Sequence, residues 1–188
     1  MRGRRGTARI LLLAALALGL AAPAGTAAAQ EGGAAEAPAA LPGGASSLRE
    51  THGAWVVSCV QQEAKNCSLS QSQVDKNTRK RVLAIELGAP AGDVVNGVLV
   101  LPFGLLLDQG VTLQVDEAEP GPPLRFHTCV PAGCVVRLSF AGPALEALRA
   151  GTTLKVNGAA AENGSPVAFS ISLSGLTSAL ERVAGLMK

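Results

Sequence analysis

LRFHTCVPAGCVVRLSF, residues Leu124–Phe140, is the stretch whose reading decides the fold. Two runs of alternating apolar and polar residues flank Pro131-Ala132-Gly133, and Cys129 and Cys134 stand on either side of that turn. Period-two alternation marks a half-buried strand, and Pro and Gly between two such runs mark a turn. The stretch therefore predicts a β-hairpin with a disulfide across its tip. Val136, Leu138 and Phe140 share one face of the second strand, and Arg137 takes the other. On the first strand Leu124 and Phe126 share a face, so strict alternation puts Arg125, His127 and Cys129 outward. Arg125, His127 and Arg137 are the candidate interaction surface.

Similar runs lie on both sides. Upstream, Trp55, Val57 and Cys59 alternate with Val56, Ser58 and Val60, and Cys67, Leu69 and Gln71 continue after a polar turn. The segment 71–81 is polar, with Lys76, Arg79, Lys80 and Arg81 against Asp75, and reads as a solvated connection. Leu83, Ile85 and Leu87 share a face. Residues 94–101 are nearly all apolar, the pattern of a central strand covered on both sides. Pro102-Phe103-Gly104 interrupts the run, Leu105–Leu107 resumes it, and Val111, Leu113 and Val115 alternate before a loop with three prolines at 117–123. Downstream, Pro143 opens a short helix to Ala150, with Leu145 and Leu148 on one side. Leu154 and Val156 start a strand, and Phe169, Ile171 and Leu173 alternate with serines. Leu176, Leu180, Val183 and Met187 fall at the spacing of a terminal amphipathic helix. Eight or nine short strands punctuated by Gly and Pro turns, with one short helix and one C-terminal helix, predict an all-β, antiparallel β-sandwich rather than a βαβ arrangement. With no Tyr, one Trp and four Phe, its core must come from Leu, Val and Ile.

The N-terminus carries Arg2, Arg4, Arg5 and Arg9, an apolar run over 10–22, and small residues ending Ala27-Ala28-Ala29. That order is a secretory signal peptide over 1–29. Residues 30–50 follow as a flexible Ala/Gly/Pro linker, and 51–188 form the sandwich domain. Losing the four leader arginines turns the net charge of +2 into −2, so no basic field is left to hold nucleic acid. No later stretch is long enough to span a bilayer. An exported chain lies in an oxidising compartment, periplasmic or secreted, where its four cysteines read as two disulfides. Each pair flanks a short turn between strand-like runs, so Cys59–Cys67 and Cys129–Cys134 are expected out of three connectivities.

Four blocks in fixed order add a resemblance. They are WVVSC (55–59) with Cys67, LVLPFGLLLDQGVTLQVD (99–116), FHTCVPAGC (126–134) and FSISLSGLTSAL (169–180). Together they resemble the invasion-associated locus B family of exported proteobacterial proteins, over nearly the whole domain. The resemblance implies an immunoglobulin-like sandwich and a link to host-cell invasion in the pathogens for which the family is named. It brings no catalytic residues to transfer. Gly175-Leu176 stands where glycine followed by phenylalanine is expected.

Chemistry has little to build on. The C-x7-C and C-x4-C spacings are not the close pairs of zinc sites, and His52 and His127 lie far apart in the chain. No C-x-x-C, G-x-S-x-G or phosphate-cradling loop is present, so no catalytic residue, metal ligand or cofactor is assigned. The leading expectation is a non-enzymatic binding protein with an unidentified envelope or host partner. The rivals are an envelope hydrolase or metal-binding protein, and a purely structural envelope protein. Non-reducing peptide mapping of protein released by osmotic shock tests the export and pairing expectations together. It should find a chain starting near Gln30 with two local disulfide-linked peptides, and free thiols would contradict both.

Overall fold

Ten strands and two helices run through the described residues of the computed structural model, which are 40–77, 79 and 81–188. The expected leader and residues 30–39 of the expected linker lie outside them. The strands are β1 (Ser47–His52), β2 (Trp55–Gln61), β3 (Lys65–Val74), β4 (Arg81–Gly88), β5 (Val94–Leu101), β6 (Thr112–Val115), β7 (Phe126–Val130), β8 (Gly133–Ala141), β9 (Thr153–Ala159) and β10 (Pro166–Ser172). Helix α1 (Gly142–Ala150) lies between β8 and β9, and α2 (Leu176–Leu186) ends the domain. One sheet has seven strands in the order β1-β2-β3-β4-β5-β8-β7, and the other has three, β10-β9-β6. All pairings are antiparallel. The protein is mostly β, an antiparallel sandwich with two helices.

Alternation selects the buried face strand by strand. Trp55, Val57 and Cys59 of β2, Leu69 of β3, Leu83, Ile85 and Leu87 of β4, and Val136 and Leu138 of β8 are all buried. Leu154 and Val156 of β9 and Ile171 of β10 meet them from the small sheet. Each such side chain contributes about 1.5–3 kcal/mol by leaving water. Helix α2 covers the β1–β3 end of the large sheet, burying Leu176, Ala179, Leu180, Val183 and Leu186. Leu186 takes the place expected of Met187, which is 40% exposed.

Directional contacts fix how the layers meet. The Trp55 indole N–H donates to the Ser172 carbonyl at 3.0 Å. The Gln71 amide donates to the same carbonyl at 2.9 Å and accepts the Ser172 N–H at 3.2 Å. Gln73 donates to the carbonyl of Ser170 at 2.5 Å. Side chains of the large sheet thus pair with the free edge of β10, whose other edge is taken by β9. At the β1–β2 turn, Gly53 and Gly175 are in backbone contact. A Cβ on Gly175 would stand 2.1 Å from the His52 carbonyl oxygen, and its φ of +86° also requires glycine.

Several expectations are corrected. The linker reading does not hold to residue 50: Leu41 is buried in the core and Ser47–His52 form β1. The cause is that β1 turns Leu48, Glu50 and His52 inward, and the latter two are polar because they meet α2 rather than an apolar layer. The connection expected at 71–81 begins later, since β3 runs to Val74 and Gln71 is 9% exposed. Strand β5 is central but buried on one face only: Val95, Leu99 and Leu101 point to the core, while Val98 and Val100 are half-buried on the open side. Leu105 makes a single bridge to Ala160 rather than a strand.

The opening hairpin holds a bulge. Phe126 pairs with Val136 but Thr128 with Val135, so His127 is the extra residue. The bulge reverses the parity: Cys129 is exposed at the sheet edge, but it pairs with the buried Cys134 and so lies on that residue's side of the sheet rather than on the side of His127.

Replacing Gln71 by Leu should lower stability by about 1–3 kcal/mol, because the Ser172 N–H loses its partner in a half-buried position. Urea unfolding should show an earlier midpoint at unchanged slope. An unchanged midpoint would mean that the small sheet is held without this contact.

Candidate functional site

The strands of the large sheet bring three loops to one end. There β3, β5 and β7 finish and β4 and β8 begin. Between them lies a shallow groove of about 730 Å³. Its apolar side chains are Val74 and Phe103, 57% and 62% exposed, with Pro102 and Pro131 beside them. Large apolar side chains left open to water in one cluster mark an interaction site more often than a packing accident. Arg79 and Arg81 line the same groove, and neither side chain makes a hydrogen bond or ion pair among the described residues.

Each wall is held from below. Cys129 and Cys134 are directly paired across β7 and β8, with Cα atoms 3.9 Å apart, and their disulfide fixes the hairpin tip. Gly133 has a φ of +136°, and a Cβ there would stand 2.3 Å from the Leu101 carbonyl oxygen, so the tip can rest on β5 only with glycine. The β3–β4 loop is tightened by the Asn77 N–H donating to the Asp75 carboxylate at 3.0 Å and the Arg79 N–H to the Asp75 carbonyl at 2.9 Å. The second disulfide, Cys59–Cys67, lies buried between β2 and β3 and serves the core.

Of the residues singled out in the sequence, His127 and Arg137 come together. The Arg137 guanidinium donates from Nη2 to His127 Nε2 at 2.8 Å on the open side of the sheet, which leaves the ring proton on Nδ1. Arg125 is exposed and bonds to neither. This pair sits in the middle of β8, away from the groove. Sequence reasoning missed Phe103 as a site residue and read Arg79 and Arg81 as a solvated loop. The available signal was an aromatic residue placed in a Pro-Phe-Gly interruption of an apolar strand.

One constellation looks like catalytic machinery. His52 Nδ1 is 3.3 Å from the Ser178 hydroxyl, and His52 Nε2 is 3.5 Å from Glu50 Oε2. The hydrogen bonds assign it another task. The Ser178 hydroxyl also lies within hydrogen-bonding distance of the Gly175 carbonyl, at 3.0 Å, in the first turn of its own helix. Both Glu50 oxygens accept from Arg182, Oε2 from Nε and Oε1 from Nη2, at 2.7 Å each. A bidentate pair of this kind ties α2 to β1. Among the described residues no three His, Cys, Asp or Glu side chains gather as metal ligands, and all four cysteines are in disulfides.

A β-sandwich with disulfides at two hairpins and an exposed apolar-basic groove at its loop end belongs to the class of small disulfide-bonded β domains that present loops. The comparisons specify it. The family described as Invasion associated locus B (IalB) protein matches residues 55–184, and this chain belongs to that family. It is 45% identical over 151 residues to an invasion protein B homolog of Brucella abortus, covering 80% of this chain and 87% of that protein. It is 37% identical over 153 residues to invasion protein B of Bartonella bacilliformis, covering 80% and 82%. The crystal structure of invasion associated protein b from Bartonella henselae superposes with a TM-score of 0.69 at 36% identity, covering 74% of this chain and 96% of that one.

The Arg182 guanidinium, through its hydrogen bonds, holds the Glu50 carboxyl below the usual glutamate range. A depressed folded value means that the stabilisation is complete above the ordinary glutamate pKa and is lost as pH falls through the depressed one. Glu50→Gln should therefore melt lower than the parent at neutral pH, with the gap closing in acid. A gap constant with pH would show that the pair does not hold α2.

Proposed function

We propose that this protein is an exported, non-enzymatic interaction protein of the bacterial envelope, periplasmic or secreted, which holds an envelope or host protein at the loop end of its large sheet. The observation that carries the reading is the convergence of Phe103 and Val74 with Arg79 and Arg81, which make no side-chain hydrogen bond or ion pair among the described residues, on one groove beside a stapled turn. Apolar anchors beside guanidinium groups are the usual composition of an interface centre. The arginines favour a partner segment with carboxylates next to apolar side chains. Export accords with the leader pattern and the two disulfides, and the relatives' names supply the link to invasion. No helix among the described residues is long and apolar enough to cross a membrane.

A photo-cross-linking residue placed at Phe103 in the native host should capture a defined partner. The same probe at Asp93, in the turn at the opposite end of the sheet, should not. Charge reversal at Arg79 and Arg81 should lower the Phe103 yield several-fold without changing the melting temperature. Equal capture at both positions, or none at Phe103, would remove the groove from the account.

A further inference from the structure

A second cavity, of about 360 Å³, opens between α1 and the loop that joins β6 to β7. Phe140 and Leu154 form its floor, Ala144 and Ala147 line its helix wall, and Pro122 stands in its loop wall. Ala at both helix positions leaves space that any larger side chain would fill.

The walls are braced apart. On the loop side, the Gly121 N–H donates to the Leu113 carbonyl at 2.8 Å, and the Ala118 N–H to the Val115 carbonyl at 3.0 Å. The Gln114 amide reaches the Ala118 carbonyl at 2.8 Å, and Lys155 pairs with Glu117 at 2.7 Å. Pro120, Pro122 and Pro123 stiffen the same loop. On the helix side, Leu145 and Leu148 anchor α1 in the core. The cavity is therefore preformed, of the size and apolar character of a small-molecule site. Its lining contains only two polar side chains, Ser139 and Glu119, and no cation. Glu119 makes no ion pair or hydrogen bond among the described residues, whereas its neighbour Glu117 is held by Lys155.

We propose that this cavity binds a single alkyl chain bearing a protonated amine, taken up from solution, with the chain on Phe140 and Leu154 and the ammonium at Glu119. The apolar floor excludes a polar ligand, because buried polar groups would go unpaired. A carboxylate head would meet Glu119 with no cation to balance it, so a fatty acid is the wrong ligand. This site is separate from the loop-end groove and stands or falls without it.

Isothermal titration of the mature protein with straight-chain primary amines and the matching alkanoates, below their micelle concentrations, tests the assignment. Amine affinity should rise about fourfold per added methylene and level off once the cavity is full. An alkanoate of equal length should bind at least about fivefold more weakly. Glu119→Gln should abolish that discrimination while keeping chain binding. Ala147→Trp, at an exposed helix position, should weaken amine binding at least about tenfold by filling the space that the chain's methylenes would occupy, with the melting temperature kept. Equal affinity for amine and alkanoate in the parent, a rise with chain length that never levels, or full binding by a folded Ala147→Trp protein would each overturn the proposal.

Discussion

The Gln71 side chain stands where another strand would be. Its amide accepts the N–H and donates to the C=O of Ser172, as a neighbouring peptide would, and Trp55 adds a second donor to that carbonyl. A core of Leu, Val and Ile supplies most of the stabilising free energy, but apolar burial is non-directional and many stackings of a three-stranded sheet on a seven-stranded one would satisfy it. The amide contacts choose one. They set where β10 lies, and through the Leu173–Gly175 connection they set where α2 begins. The Gly53–Gly175 contact and the Glu50–Arg182 pair then seat the helix on β1 and β2.

That closure occupies the β1–β3 end of the large sheet and leaves the β3–β8 loops clear. Residues 40–188 carry twelve basic and twelve acidic side chains, so the domain has no net charge of its own. Yet Lys76, Arg79, Lys80 and Arg81 fall within six residues, opposed locally by Asp75 alone. A local field in a neutral body acts at short range, within the Debye length of about 8 Å at physiological salt. It suits orienting a docked partner more than collecting anions from a distance. The disulfide at the hairpin tip keeps the neighbouring wall in place, and Phe103 leaves an exposed apolar side chain beside it.

Much of the fold was legible because period two is a simple signal. It gave β2, β4, β8, β9 and β10 with their buried faces, and Pro143 and Gly151 bounded α1. The failures have physical causes. A bulge adds a residue without changing composition, so the parity of His127 and Cys129 could not be read from alternation. Strand β1 is an edge with one apolar residue, and its inward Glu50 makes sense only with Arg182, 132 residues away. Gln71 looks solvated because its partner is backbone. The site was half legible: the stapled turn and the basic run were visible as separate features, but only the register of five strands brings them to one end.

The closure of β10 on the large sheet is measured directly by the hydrogen exchange of the Ser172 amide. This N–H faces the free edge of a sheet and would exchange by local fraying if only water received it. With Gln71 as its acceptor, it should exchange only through global unfolding, with a protection free energy equal to that of the central β5 amides. Exchange at the rate of an open strand edge would contradict the claim that this side-chain amide holds the two sheets together.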